Sequence, residues 1–259
     1  MTGARLLLHQ FRYDQKLFWR NPATVFFSVA LPLIFLFLLG AVFGDAGDRD
    51  ENYGLLADQY LVPAIMALGI VSATLVNMAI SVTFQREMGV LKRMRGTPLP
   101  TWAFVGSRTA TAVVNAVLIA VVIMLAGMLV YGVDITATRL IGVAIATIVG
   151  AASFCALGFA ITVIIPSQSA APAIANVIVL PLYFISGVFG QTDELPSLLA
   201  NIGSIFPIKH LAACLFESFS PDATGIGLKF ADLAIVAAWG LLGLAVASWK
   251  FRWEPREPH

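Results

Sequence analysis

The stretch FQREMGVLKRMRGTPLP, residues 84–100, carries four basic residues, one acid and two prolines in a chain otherwise short of charge. Apolar runs flank it, residues 60–84 before and 102–131 after. Each run is as long as the roughly 20 residues a helix needs to cross about 30 Å of hydrocarbon. A short, basic insert between two such runs reads as a cytoplasmic loop joining two membrane spans.

Working outward, four more runs reach spanning length: residues 23–43, 140–165, 170–189 and 230–249. All are continuously apolar rather than alternating, which excludes a β-barrel. The 259 residues are 59% hydrophobic and 12% charged, with a mean hydropathy of +0.86. Soluble domains are about 45–50% apolar and about 25% charged. The excess is surface facing lipid. The first run exceeds a signal-peptide core and lacks a cleavage site, so it reads as a retained span. Net charge of +1 gives no general attraction for nucleic acid. Cys155 and Cys214 stand alone in apolar runs, without metal-ligand spacing.

Lys and Arg set the orientation. Arg5, Arg12, Lys16 and Arg20 precede the first span. Arg86, Lys92, Arg93, Arg95 and Arg108 fall around the second connection, and Lys250, Arg252 and Arg256 follow the last span. Only Arg49, Arg139, Lys209 and Lys229 fall on the other side. Both termini and the 84–100 stretch are therefore expected in the cytoplasm. Before the first span, Arg5, His9, Arg12, Lys16 and Arg20 share one helical face, and Leu7, Phe11 and Phe18 lie opposite. That pattern predicts an amphipathic helix in the membrane interface.

Between the fifth and sixth spans, two apolar runs of about 12 residues, 194–205 and 207–219, are too short to cross and read as outer re-entrant helices. Asp193 is placed as an N-cap, Pro196 in the first turn and Pro207 at a helix start. Pro196 and Pro207 are the candidate outer gate. Span four carries Gly142, Ala146 and Gly150 at four-residue spacing, a ridge for close helix packing.

No phosphate-binding G-x-x-x-x-G-K-[ST] occurs, nor H-E-x-x-H, nor G-x-S-x-G. Charges are nearly absent from the span centres, which argues against ion-coupled transport. Thr74, Asn77, Ser81 and Gln85 trace one face of span two, with Asn115 in span three and Asn176 in span five. These residues either bond helix to helix or line a substrate path. On a helical wheel of residues 84–95, Phe84, Met88, Val90, Leu91 and Met94 share an arc, Glu87 lies within it, and Arg86, Lys92 and Arg93 fall opposite. Pro98 and Pro100 end the helix. An apolar arc with an embedded acid, tied tightly to two spans, reads as a helix that docks in a partner's groove and passes force to the spans.

The segment FQREMGVLKRMRGTPLPTWAFVGSR resembles the cytoplasmic loop of type-2 ATP-binding-cassette (ABC) exporter permeases. ADQYLVPAIMALG is similar to that family's start of span two. ANVIVLPLYFISGVFGQTDELPSLLANIGSIFPIKHLAACL is similar to its passage from span five into the outer helices. The resemblance covers nearly the whole chain. It implies one permease domain over residues 1–259, an all-α membrane protein. Its parts are an interfacial helix over 1–22, six transmembrane helices, a cytoplasmic coupling helix loop over 85–100, and outer re-entrant helices over 190–229. It further implies a second permease copy and two separate ABC ATPase subunits as partners. ATP and Mg would be bound by the ATPase, and no cofactor or metal by this chain. Arg86, Glu87, Met88, Leu91, Lys92, Arg93 and Met94 would couple to the ATPase. The implied activity is ATP-driven export of a hydrophobic small molecule or lipid across the plasma membrane, with no chemistry on the substrate. A lipid-linked glycan exporter and an ion-coupled carrier are the alternatives.

Overall fold

The computed structural model describes residues 3–43, 53–96, 100–188 and 196–250. All its regular elements are helices. They run α1 (Gly3–Trp19), α2 (Pro22–Val25), α3 (Leu31–Phe43), α4 (Ala57–Val71), α5 (Asn77–Glu87), α6 (Val90–Arg95), α7 (Thr101–Val130), α8 (Ala137–Ile161), α9 (Ala171–Ile185), α10 (Ser197–Gly203), α11 (Pro207–Phe219) and α12 (Phe230–Lys250).

Two π-turns fuse shorter helices into spans. Phe26–Ala30 joins α2 to α3, and Ser72–Val76 joins α4 to α5. The first lies one turn before Pro32, whose missing N–H leaves the residue 28 carbonyl without its helical donor. In the second, the Thr74 hydroxyl donates back to the Ile70 carbonyl at 2.6 Å, a bond that competes with the regular helix ladder. Among the described residues, five helices are then long and apolar enough to cross a membrane: Pro22–Val42, Ala57–Glu87, Trp102–Val130, Ala137–Ile161 and Phe230–Trp249.

The expected fifth span is shorter than its sequence run. α9 has 15 residues, about 22 Å at 1.5 Å each. Ser186 caps it, and Gly187 follows at φ 81°, a left-handed residue of the kind that stops helices. Phe189, where the apolar run was read to end, lies outside the described residues. Even so, α9 accompanies span two along most of its length. The Tyr60 hydroxyl donates to the Gly187 carbonyl at 2.6 Å. The Tyr183 hydroxyl donates to the Leu68 carbonyl at 3.1 Å and lies 3.1 Å from Ser72 Oγ. At the other end Ala171 and Ala175 pack on Ala79. The two helices therefore run antiparallel, laced at both ends.

α11 occupies Pro207–Phe219 as expected, and α10 and α11 meet at 84°. α10 begins only at Ser197, directly after Pro196, which holds an extended ψ of 138° and so stands before the first turn rather than in it. Asp193 lies outside the described residues. The α10–α11 elbow is fixed to α12: His210 bridges Asp232 (2.5 Å) and the Ser204 carbonyl (2.8 Å) through its two ring nitrogens, and Trp239 Nε1 donates to the Ile205 carbonyl at 2.9 Å. Phe216 stacks between Tyr53 and Tyr60. The small-residue ridge of α8 receives α11 and the loop after it. A Cβ on Gly150 would lie 2.7 Å from Leu211, and one on Gly142 would strike the Ile226 carbonyl.

The core follows from this arrangement. Its main cluster joins α4, α7, α8 and α11 through residues such as Ile65, Ile123, Phe154 and Leu215. A second cluster gathers Met78, Val82, Leu91, Phe104 and Phe159. That second cluster lies at the basic end of the bundle, where α1, α6, the start of α7 and the end of α8 meet.

Candidate functional site

The basic end holds two features: a charged corner and a polar cavity. At the corner, span two continues as helix through Glu87 and ends at Met88. Gly89 then adopts φ 67°, a left-handed conformation that glycine takes without steric cost. α6 restarts at Val90. The expected single helix over 84–95 is therefore two helices, and the apolar arc is divided between them. Phe84 and Met88 stay on the outside of α5, 50% and 54% exposed, while Leu91 is fully buried and Met94 partly so. Leu91 packs on Phe104 and Phe159 of this chain. The surface left at the corner is Met88, Lys92 and Arg93, all exposed, with Glu87 half-buried beside them.

Arg86 also departs from its wheel position. It is 2% exposed. Nη1 donates to the Thr162 carbonyl at 2.9 Å and Nη2 to the Ile165 carbonyl at 2.8 Å. It thus caps the carbonyl end of α8, where unpaired C=O groups and the helix dipole favour a cation. The corner is latched to the α8–α9 turn by this residue.

The cavity lies between α1, α5 and α7 and has a volume of about 360 Å³. Four of the six polar residues read as helix-to-helix bonds or a substrate path, Asn77, Ser81, Gln85 and Asn115, line it. Thr74 does not line it: it sits within the π-turn with its hydroxyl turned onto Ile70. Asn176 is exposed on α9, on another part of the bundle.

The cavity also holds residues the sequence reading did not place. Asp14, buried on the face of α1 that meets α7, accepts from Gln10 Nε2 at 3.0 Å and from Ser107 Oγ at 3.3 Å. Arg108 Nε lies 3.6 Å from Asp14 Oδ2, and Arg108 Nη2 donates to Gln85 Oε1 at 2.6 Å. Burial pushes the Asp14 carboxyl above the usual carboxylate range, although Arg108, Gln10 and Ser107 pull it down. A signal for this pairing existed. Asp14 is the single acid among the first 19 residues, and Arg108 is the single charge within residues 102–130. Arg5, His9, Arg12 and Lys16 of α1 and Arg20 just after it, by contrast, are all exposed as their spacing predicts, while Phe18 is buried.

At the opposite end Pro207 opens α11 and is buried, and Pro196 precedes α10 and is exposed. No group of three or more metal-ligating side chains occurs among the described residues.

The architecture is that of a multi-pass helical membrane protein with a charged corner at one end and a bent helix pair at the other. Residues 6–219 match the family model for ABC-2 type transporters. The chain belongs to that family. Relatives include the probable multidrug ABC transporter permease YbhR of Escherichia coli (strain K12), 25% identical over 185 residues, 71% of this chain and 48% of the relative. The putative transport permease ycf38 of Porphyra purpurea is 24% identical over 234 residues, 89% of this chain and 79% of the relative. That of Cyanophora paradoxa is 27% identical over 202 residues, 74% and 66%. The chain thus matches about half the length of the Escherichia coli protein.

Proposed function

We propose that this chain is the membrane-spanning subunit of an ATP-driven exporter, moving a hydrophobic small molecule or lipid outward across the plasma membrane. A separate ATPase supplies the energy and binds ATP and Mg. Two copies of the chain pair with two ATPases, and both termini and the α5–α6 corner face the cytoplasm. The reading rests on the corner. Exposed Met88, Lys92 and Arg93, with Glu87 at their edge, form a small apolar and charged surface, and Arg86 ties the same few residues rigidly to α8. A push on α6 therefore reaches spans two, four and five together. ATP binding closes the ATPases against the corners, the spans rearrange, cargo leaves past the α10–α11 elbow, and hydrolysis resets the dimer. The Escherichia coli relative is a probable multidrug ABC transporter permease, which supports the choice of hydrophobic cargo.

The test is reconstitution in liposomes with the partner ATPase. Transport should require ATP, and Glu87→Lys or a Lys92→Glu/Arg93→Glu pair should weaken ATPase association or uncouple hydrolysis from transport. Transport by the chain alone, driven by an ion gradient, would overturn the reading.

A further inference from the structure

Two polar stripes face each other across the basic-end cavity. On α7, Arg108, Thr111 and Asn115 follow one another at i, i+3 and i+7. On α5, Gln85, Ser81 and Asn77 run back at four-residue steps. Arg108 and Asn115 are thus about 10 Å apart along the helix axis. Charge sits at the basic end of the slot and neutral amides sit deeper.

The hydrogen bonding of these groups is incomplete in a specific way. Asp14 is held by two donors, one on each carboxylate oxygen. Arg108 makes one hydrogen bond, to Gln85, and its buried Nε faces Asp14 at 3.6 Å without bonding to it. Deeper in, Thr111 Oγ1 and Asn115 Oδ1 are buried with no partner among the described residues, on side chains 8% and 3% exposed. Proteins pair nearly all their buried polar groups. The slot thus holds a guanidinium with donor capacity to spare beyond Gln85 and Asp14, and an Asn115 oxygen that lacks a donor. Its rim is apolar: Leu17 and Phe84 flank it, each half exposed. A volume of about 360 Å³ falls in the range of small-ligand pockets.

We propose that this cavity binds the head of an anionic amphiphile, its negative oxygen on Arg108 and a neighbouring hydroxyl or amide N–H on Asn115. The acyl chain leaves between Leu17 and Phe84. The anion can be the phosphate of a phospholipid head or the carboxylate of a fatty acid, and only the former brings the donor that Asn115 requires. The inference deepens the export reading by naming the cargo class at its first contact. Its test uses neither ATPase nor transport, so failure of export leaves the site standing, and failure of binding leaves export standing.

The probes are oleoyl-lysophosphatidylglycerol, oleate and the uncharged monooleoylglycerol, titrated into the full chain in dodecylmaltoside and counted by native mass spectrometry. One copy of lysophosphatidylglycerol or oleate should bind per chain, about tenfold tighter than monooleoylglycerol, as a charge-assisted hydrogen bond supplies. Asn115→Ala should weaken lysophosphatidylglycerol by about fivefold, the effect of one neutral hydrogen bond, and leave oleate unchanged. Asp14→Asn/Arg108→Gln removes both charges and so leaves no lone buried ion. It should weaken both anions by roughly tenfold or more. Arg12→Gln, an exposed charge at the same end, should stay within about twofold. Equal binding of monooleoylglycerol, an Arg12→Gln loss as large as the double variant's, or no saturable site for any probe would overturn the proposal. The last result would mark the slot as filled by water.

Discussion

Replacing Arg86 with alanine should unlatch the corner from the α8–α9 turn. The guanidinium is 2% exposed and makes two bonds, of 2.9 and 2.8 Å, to the Thr162 and Ile165 carbonyls. A hydrogen bond to a charged group contributes about 1.5–3 kcal/mol, and a cation at a helix carbonyl end adds about 0.3–1 kcal/mol. Thr162 and Ile165 are themselves buried, so little water can replace the guanidinium at their carbonyls. The net expectation is about 3 kcal/mol. The assay is equilibrium unfolding in mixed SDS and dodecylmaltoside micelles. Arg93→Ala, an exposed neighbour on α6, serves as reference and should cost less than about 0.5 kcal/mol. Arg86→Lys keeps the charge but loses the planar fork, so it should fall between the two. If Arg86→Ala costs no more than Arg93→Ala, the latch does not bear the load assigned to it.

Leu91→Ala should destabilise the chain by about 2–5 kcal/mol in the same unfolding assay, because a fully buried side chain leaves a cavity. A normal stability with lost ATPase association would instead return Leu91 to the docking surface. Asp14 makes a pH-dependent contribution with a definite sign. Its folded-state carboxyl lies above the ordinary 3.8, so in that window the folded chain holds the extra proton, and the residue's stability contribution falls as pH rises through it. The stability of wild type minus that of Asp14→Asn, taken with its sign, should therefore fall from acid toward neutral pH, and a rise would refute the burial argument. For orientation, a cysteine at Lys209 should react with an impermeant maleimide on intact cells, and one at Lys92 only after lysis. The reverse pattern would invert the assigned topology.

What the sequence made legible is what depends on length and on a constant helical phase. The apolar runs marked the spans because a helix must cover the hydrocarbon alone. The basic stripe of α1 and the start of α11 at Pro207 were readable for the same reason: nothing interrupts the periodicity there. The wheel failed where the phase changes. Gly89 reverses the chain between Met88 and Leu91, so residues drawn on one arc point in opposite directions, one outward and one into the core. Thr74 left the polar stripe because it lies inside a π-turn, which no regular period describes. Arg86 and the Asp14–Arg108 pair were missed for another reason. Their partners are 76 to 94 residues away in the chain, and neither hydropathy nor local spacing encodes which helix will stand beside which. Isolated charges in apolar or oppositely charged surroundings were the available hint.

The lacing of α9 to span two has a mechanical consequence. Tyr60, Tyr183 and the small residues around Ala79 fasten the two helices near the top, middle and bottom of their shared length. Such a pair resists shear and splay alike, so it should tilt as a single panel. Any opening between conformational states then falls at the panel's borders. Spin-label distances between residues 56 and 188 should stay fixed through the nucleotide cycle while distances across a border change. Unequal movement within the pair would show that the stitching gives way under load.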